Sequence, residues 1–274
     1  MTWPVIIGIL ILLSALDLLA IALWYTCSWP QSQVLGPALI RGPSGDPRVA
    51  LTFDDGPLPP FTEQILDILR ERKIRATFFI CGRNARQYPE IVRRIHSEGH
   101  AIGNHTWSHP YLYLLSRRKM AEEIDRTQDA IRQATGQEPV FFRPPYGARW
   151  FGLYGVLRER KMQLIQWSVT GYDWRLGAEG ILAAVRTGML PGAIILLHDG
   201  CQVPGGYLQR LFRKCAPAIQ TKPGKAASLQ SGRWETVKAL PEIIDCARAA
   251  GLDLVSVDEF LPARSTTDKP SPAK

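Results

Sequence analysis

The sequence predicts an α/β fold, an incomplete or distorted (β/α)7 barrel preceded by a single N-terminal transmembrane helix. Three observations carry this expectation. Seven short apolar runs alternate with stretches of helical periodicity, polar clusters follow most of those runs, and the chain opens on an almost uncharged apolar segment. Alternating strands and helices imply parallel pairing through right-handed crossovers. In such folds the chemistry gathers on loops that follow the C-terminal ends of strands. Apolar content of 46% with 21% charged residues excludes a disordered or wholly membrane-embedded chain.

From Trp3 to Tyr25 the one ionisable side chain is Asp17. The run is long enough to cross a bilayer, which takes ~20 helical residues. It lacks the basic flank and small-residue cleavage site of a signal peptide, so residues 1–28 are expected to be a retained anchor. Trp3, Trp24, Tyr25 and Trp29 bracket the span as interfacial aromatics do, and Asp17 is its one costly residue. Pro30, Pro37, Pro43 and Pro47 mark 29–47 as a linker, and 48–262 as the body. Residues 263–274 are expected to form a disordered tail. Arg41 and Arg48 after the span favour a cytoplasmic body by the charge rule, whereas glycan polymers lie outside; the reading places the body outside.

Strands are expected at Val49 to Phe53, Ala76 to Ile80, Ala101 to Gly103, Val140 to Phe142, Gln163 to Ser168, Ala193 to Leu197 and Leu252 to Val257. Phe61, Ile65, Ile68 and Leu69 fall at helical spacing within 61–72, and Gly99 stops a helix running from Pro89 to Ser97. Ser116 caps a long helix that Gly136 closes. Further helices are expected near 150–160, 177–188 and 236–250. Of five cysteines, Cys81 and Cys246 read as buried thiols, and Cys201 and Cys215 could pair in an oxidising compartment.

Polar groups behind the strands are individually unremarkable. Asp54-Asp55-Gly56-Pro57 is also an ordinary turn, Arg143 could be a solvated charge, and His198 could simply end a strand. His105 and His109 share a face if the backbone between them turns helically. With one carboxylate they make a three-ligand set that leaves a position open for water. The order Asp-Asp-Gly-Pro, His-Thr-Trp-Ser-His, Arg-Pro-Pro-Tyr-Gly, Asp173-Trp174 and Leu-Leu-His-Asp, each behind a strand, decides between these readings.

Together these motifs resemble the polysaccharide deacetylase family, the NodB-homology domain of carbohydrate esterase family 4, over roughly Arg48 to Leu261. The resemblance implies a hydrolase removing N-acetyl or O-acetyl groups from an acetylated glycan such as peptidoglycan, a chitin-like oligomer or a surface polysaccharide. It implies Asp54 as general base, and Asp55, His105 and His109 as ligands of one divalent metal ion, zinc by preference, with cobalt, nickel or manganese also accepted by such a set. Arg143 would orient Asp54, the Tyr146 amide would line the oxyanion hole, and Asp173 would hold and tune His198 as general acid. Trp174 and Leu196 would shape the groove and the acetyl pocket.

The segment 201–234 departs from the family's short loop, and it carries Arg210, Arg213, Lys214, Lys222, Lys225 and Arg233 without an acid. It reads either as a solvated insertion or as a flap for an anionic surface or phosphorylated glycan. Nucleic acid is not expected as a partner, since basic residues elsewhere are mixed with acids. A deacylase acting on a lipid-linked sugar at the membrane surface and a non-catalytic glycan-binding protein are the rival readings.

Overall fold

Alternation along β1 (Arg48–Asp54) sets the plan of the fold. Val49, Leu51 and Phe53 pack outward into the main core beneath the helices, which leaves Ala50, Thr52 and Asp54 on the inner face. β7 (Ile194–His198) lies alongside in parallel with His198 opposite Asp54, and it repeats the pattern with Ile195 and Leu197 outward. Period-two geometry thereby sends Leu196 and His198 to the face that carries Asp54. The computed structural model describes residues 3–200 and 224–261, with side chains from Arg233 onward in the second stretch.

β2 (Thr77–Ile80), β3 (Ala101–Asn104), β4 (Phe141–Phe142) and β5 (Gln163–Leu164) continue the parallel sheet on one side of β1, and β6 (Val169–Thr170) follows β7 on the other. β8 (Asp253–Val255) pairs with the first half of β1. Of the run expected as one strand from Gln163 to Ser168, only Gln163 and Leu164 are strand; the next strand, β6, begins at Val169 at the opposite end of the sheet order, and the barrel stays open between β5 and β6. A physical cause lies in Arg143, whose guanidinium takes the carbonyls of Ile165 and Gln166 and diverts the backbone that a continuous strand would pair. The sheet is the curled, incomplete barrel expected, with seven strands in its main order and β8 paired to β1 off that order.

Helices α2 (Phe61–Arg72), α4 (Pro89–Ser97), α5 (Arg117–Thr135), α6 (Leu153–Glu159) and α7 (Ala178–Gly188) follow the sequence closely, with α3 (Gly82–Gln87) too short to show a period. Ser116 caps α5 by accepting from the Lys119 amide, and Gly136 ends it in the left-handed conformation that glycine adopts without strain. α8 (Gly224–Ala249) begins at Gly224, well before the expected 236, so part of the 201–234 insertion belongs to a helix. Residues 201–223, with Cys201, Cys215, Arg210, Arg213, Lys214 and Lys222, lie outside the described residues, as does the tail 263–274. Cys81 is buried as expected, whereas Cys246 is half-buried.

α1 (Trp3–Ser28) is long and apolar enough to cross a membrane, and Cys27 is its buried residue. The proline-rich segment after it, expected as a linker, is strapped onto the body. Leu39 bridges Ile165, Arg41 bridges Ala193, and the Tyr154 hydroxyl donates to the Gly36 carbonyl at 2.8 Å. Fully buried Arg149 donates through its guanidinium to the carbonyls of Trp29 and Ser32, and its amide donates to the Cys27 carbonyl at 2.7 Å. Its charge sits where the end of α1 presents unpaired carbonyls and the negative pole of the helix dipole.

Candidate active site

Asp54 closes β1 inside the barrel mouth and is almost fully buried. The chain then turns at once, with Asp55 at φ 74°, a conformation that costs energy for any residue but glycine. Two glycines permit the crowding there. A Cβ on Gly200 would lie 2.2 Å from the Asp55 carbonyl oxygen, and one on Gly56 would lie 1.9 Å from Asp199. The loops after β1 and β7 thus interlock. Asp199, held under Gly56 by a 2.7 Å hydrogen bond from Thr62, is pushed up to about 7 by burial, with Asp55 and Asp54 adding to the rise.

Across the sheet, His105 follows β3 and His109 stands four residues on in a loop, without the helical turn that would put both rings on one face. Thr106 at φ 66° and His109 at φ 56° make the turn instead, tied down by Asn104 on the Thr106 amide and by Thr106 on the His109 amide. The rings still converge, with centroids 5.0 Å apart. His105 Nδ1 lies 2.8 Å from the Arg143 carbonyl, which can only accept, so the proton is on Nδ1 and the Nε2 lone pair faces the cluster. Burial is the largest influence on His109 and brings its pKa down to about 4, against the pull of Asp55, so its ring is neutral at pH 7. Burial opposes ionisation of Asp55, but the neighbouring His109 and His105 outweigh it and hold its carboxyl low.

The donor set fits a divalent ion. Asp55 Oδ1 is 3.4 Å from His105 Nε2 and 3.1 Å from His109 Nε2, and the three donors lie within 4.8 Å of one another. Ligands on a tetrahedral centre at ~2.0 to 2.1 Å stand about 3.3 Å apart.

Arg143, fully buried after β4, donates at 2.7 Å to Asp54 Oδ1 and at 2.8 Å to the Thr52 hydroxyl, while stacking over Phe79. Burial lowers its pKa and Asp54 opposes that fall. Three residues on, Tyr146 sits at φ 60°, its ring 4.5 Å from that of His109, and its N–H has no acceptor among the described residues. On the opposite wall Asp173 accepts from both His198 Nδ1 at 2.8 Å and the His198 amide at 2.7 Å. Burial works against a charged His198, but Asp173 outweighs it and raises the pKa. Trp174 meets the His198 ring edge-on at 5.4 Å. Leu196 shares this inner face.

All ten residues singled out in the sequence therefore converge on one barrel mouth. Sequence reasoning missed those behind them. Arg233, read as one of six free basic residues in the insertion, is buried and donates at 3.2 Å to Asp173 and to the His198 carbonyl, and Thr236 donates at 2.8 Å to Asp173. Arg233 is thus committed to the acid side of the site and unavailable to an outside anion. Thr52 carried a signal, as a polar residue within an apolar strand.

Comparison with known proteins bears on this arrangement. A peptidoglycan-N-acetylglucosamine deacetylase of Bacillus cereus is 38% identical over 212 residues, covering 76% of this chain and 75% of the relative. The chain belongs to the polysaccharide deacetylase family. The polysaccharide deacetylase profile itself matches residues 41–166, which include Asp54, Asp55, His105, His109, Arg143 and Tyr146 but stop short of Asp173 and His198. A chitooligosaccharide deacetylase of Sinorhizobium fredii is 40% identical over 163 residues, 59% of this chain and 76% of that one. A crystal structure of a peptidoglycan N-acetylglucosamine deacetylase superposes with a TM-score of 0.68 at 34% identity, covering 81% of this chain and 91% of the other.

Proposed function

We propose that this polysaccharide deacetylase family member is a membrane-anchored, metal-dependent hydrolase that removes acetyl groups from an amino sugar in a glycan such as peptidoglycan or a chitooligosaccharide. One observation carries the reading: a carboxylate with two imidazoles stands between a separate carboxylate fixed by Arg143 and a separate imidazole fixed by Asp173. A divalent ion, zinc by preference, held by Asp55, His105 and His109 would supply the Lewis acidity that polarises an acetyl carbonyl and acidifies water.

Asp54 takes the proton of the attacking water, and Arg143 holds the carboxylate in its aim. The free Tyr146 amide donates to the oxygen on which negative charge develops. His198, kept protonated by Asp173, gives its proton to the amide nitrogen as the carbon–nitrogen bond breaks, so that acetate and a free amine leave. Trp174, exposed beside His198, offers a face on which a sugar ring can stack. Leu196 closes the inner wall where a methyl group would lodge. α1 anchors the body, which we place on the extracytoplasmic side, where wall glycans lie.

The full chain, purified with zinc, is expected to release acetate from tetra-N-acetylchitotetraose or from isolated peptidoglycan, leaving free amines in equal amount. Binding of either glycan without acetate release would make the protein a glycan-binding module on a shared fold.

A further inference from the structure

We infer that the catalytic mouth continues into a membrane-facing groove that holds the apolar stem of an acetylated glycolipid. The inference rests on the deacetylase reading and on α1 lying in a bilayer, and it names the substrate class.

A groove of about 360 Å³ lies between the last turns of α1 and the aromatic rim of the barrel. Leu23, Trp24 and Cys27 form one wall; Tyr113, Tyr146 and Trp150 form the other. The second wall is continuous with the metal-ligand candidates. From His109 the rings run to Tyr146 at 4.5 Å, to Tyr111 stacked on it at 4.0 Å, to Tyr113 at 5.2 Å and to Trp150 at 6.3 Å. Aromatic faces of this kind suit sugar rings, whereas Leu23 and Trp24 suit hydrocarbon.

The hydrocarbon wall is where a bilayer surface would be. Twenty-six helical residues at ~1.5 Å each reach about 39 Å, beyond a ~30 Å apolar core, which puts the last turns at the headgroups. Around the same end, Trp24 is 62% exposed, Phe151 57% and Leu114 54%, an aromatic and apolar collar of the sort that settles at an interface. The wall is also fixed. Arg149, three residues past Tyr146, donates to the carbonyls of Cys27, Trp29 and Ser32 and so ties the C-terminal end of α1 beside the mouth. A ligand with its acetyl group at the metal-ligand candidates and its remainder in the groove must be polar at one end and apolar at the other. A hydrated polymer strand would meet Leu23 without gain.

The full chain in phosphatidylcholine vesicles tests this with two acetylated substrates, an N-acetylglucosaminyl lipid and soluble tetra-N-acetylchitotetraose. The double variant Leu23→Ser, Trp24→Ser is expected to lower the preference for the glycolipid over the tetramer by at least about ten-fold, through KM rather than kcat. An unchanged preference overturns the groove. So does a loss that grows from tetramer to hexamer, which would make it a subsite for polymer. If wild type releases acetate from neither substrate, the deacetylase reading has failed. The groove is then judged by a glycolipid with a photoreactive stem, whose cross-linking to both the Leu23 to Cys27 wall and the Tyr113 to Trp150 wall upholds it and whose failure to cross-link to both rejects it.

Discussion

Asp54→Asn is expected to retain the metal and lose turnover by about 100- to 10,000-fold, the range that a positioned general base supplies. The amide keeps the shape and can still accept the hydrogen bond that Arg143 now gives Asp54 Oδ1, yet it cannot take a proton. Buried Arg143 loses its counter-charge, and breaking such a pair from one side costs ~3 to 5 kcal/mol. The Thr52 hydroxyl and the carbonyls of Ile165 and Gln166 still satisfy the guanidinium, so the variant is expected to melt lower but cooperatively. Acetate release, metal content and a thermal melt on one preparation check this. Activity within a few-fold of wild type, on a folded and metal-loaded variant, would assign the base elsewhere.

On the acid side, His198→Ala should cost a comparable factor, about 100- to 10,000-fold, without loss of metal, because the ring bonds Asp173 and stands apart from the three-donor cluster. The pH profile carries the sharper signature. His198 must be protonated to act, and Asp173 raises its pKa above the ordinary 6.5. Activity therefore falls as pH rises through that raised value. Asp173→Asn removes the main influence raising it, leaving burial and Arg233, which both lower it, so the alkaline limb is expected to move toward acid. Measuring kcat against pH for wild type and Asp173→Asn decides the matter; an alkaline limb that stays in place would detach it from His198.

Much of this site was legible because barrel chemistry follows strands. Asp54, His105, Arg143 and His198 each stand at or just past the end of an apolar run, where a side chain must face the mouth. What sequence could not give was the support from residues distant in the chain. Arg233 and Thr236 reach Asp173 across 60 and 63 residues, and nothing local distinguishes a buried arginine from its solvated neighbours in a basic stretch. His109 meets His105 and Asp55 by a local geometry that the spacing alone did not give. Its spacing from His105 suggested a helical turn, but side-chain caps from Asn104 and Thr106 hold a loop with two residues at positive φ.

The fold shows the same division. α2 carried helical periodicity, α4 a glycine stop and α5 a cap at each end, and all three fell where expected, whereas the run from Gln163 to Ser168 had the composition of one strand and was cut short after Leu164, where Arg143 takes the next carbonyls. Prolines in 29–47 signalled irregular backbone, which is present, but not that Arg149 and Tyr154 would hold it to the body. Backbone strain concentrates where chemistry is proposed: Asp55, His109 and Tyr146 all lie at positive φ, a cost that persists where surrounding structure imposes it.

Metal binding tests the central claim most directly. The full chain, stripped by chelator and titrated with zinc at neutral pH, is expected to take up one ion per chain, with acetate release returning in proportion. His105→Ala and His109→Ala are each expected to lose both together. A chain that releases acetate at full rate without metal, or that binds zinc equally well with either histidine removed, would contradict the account.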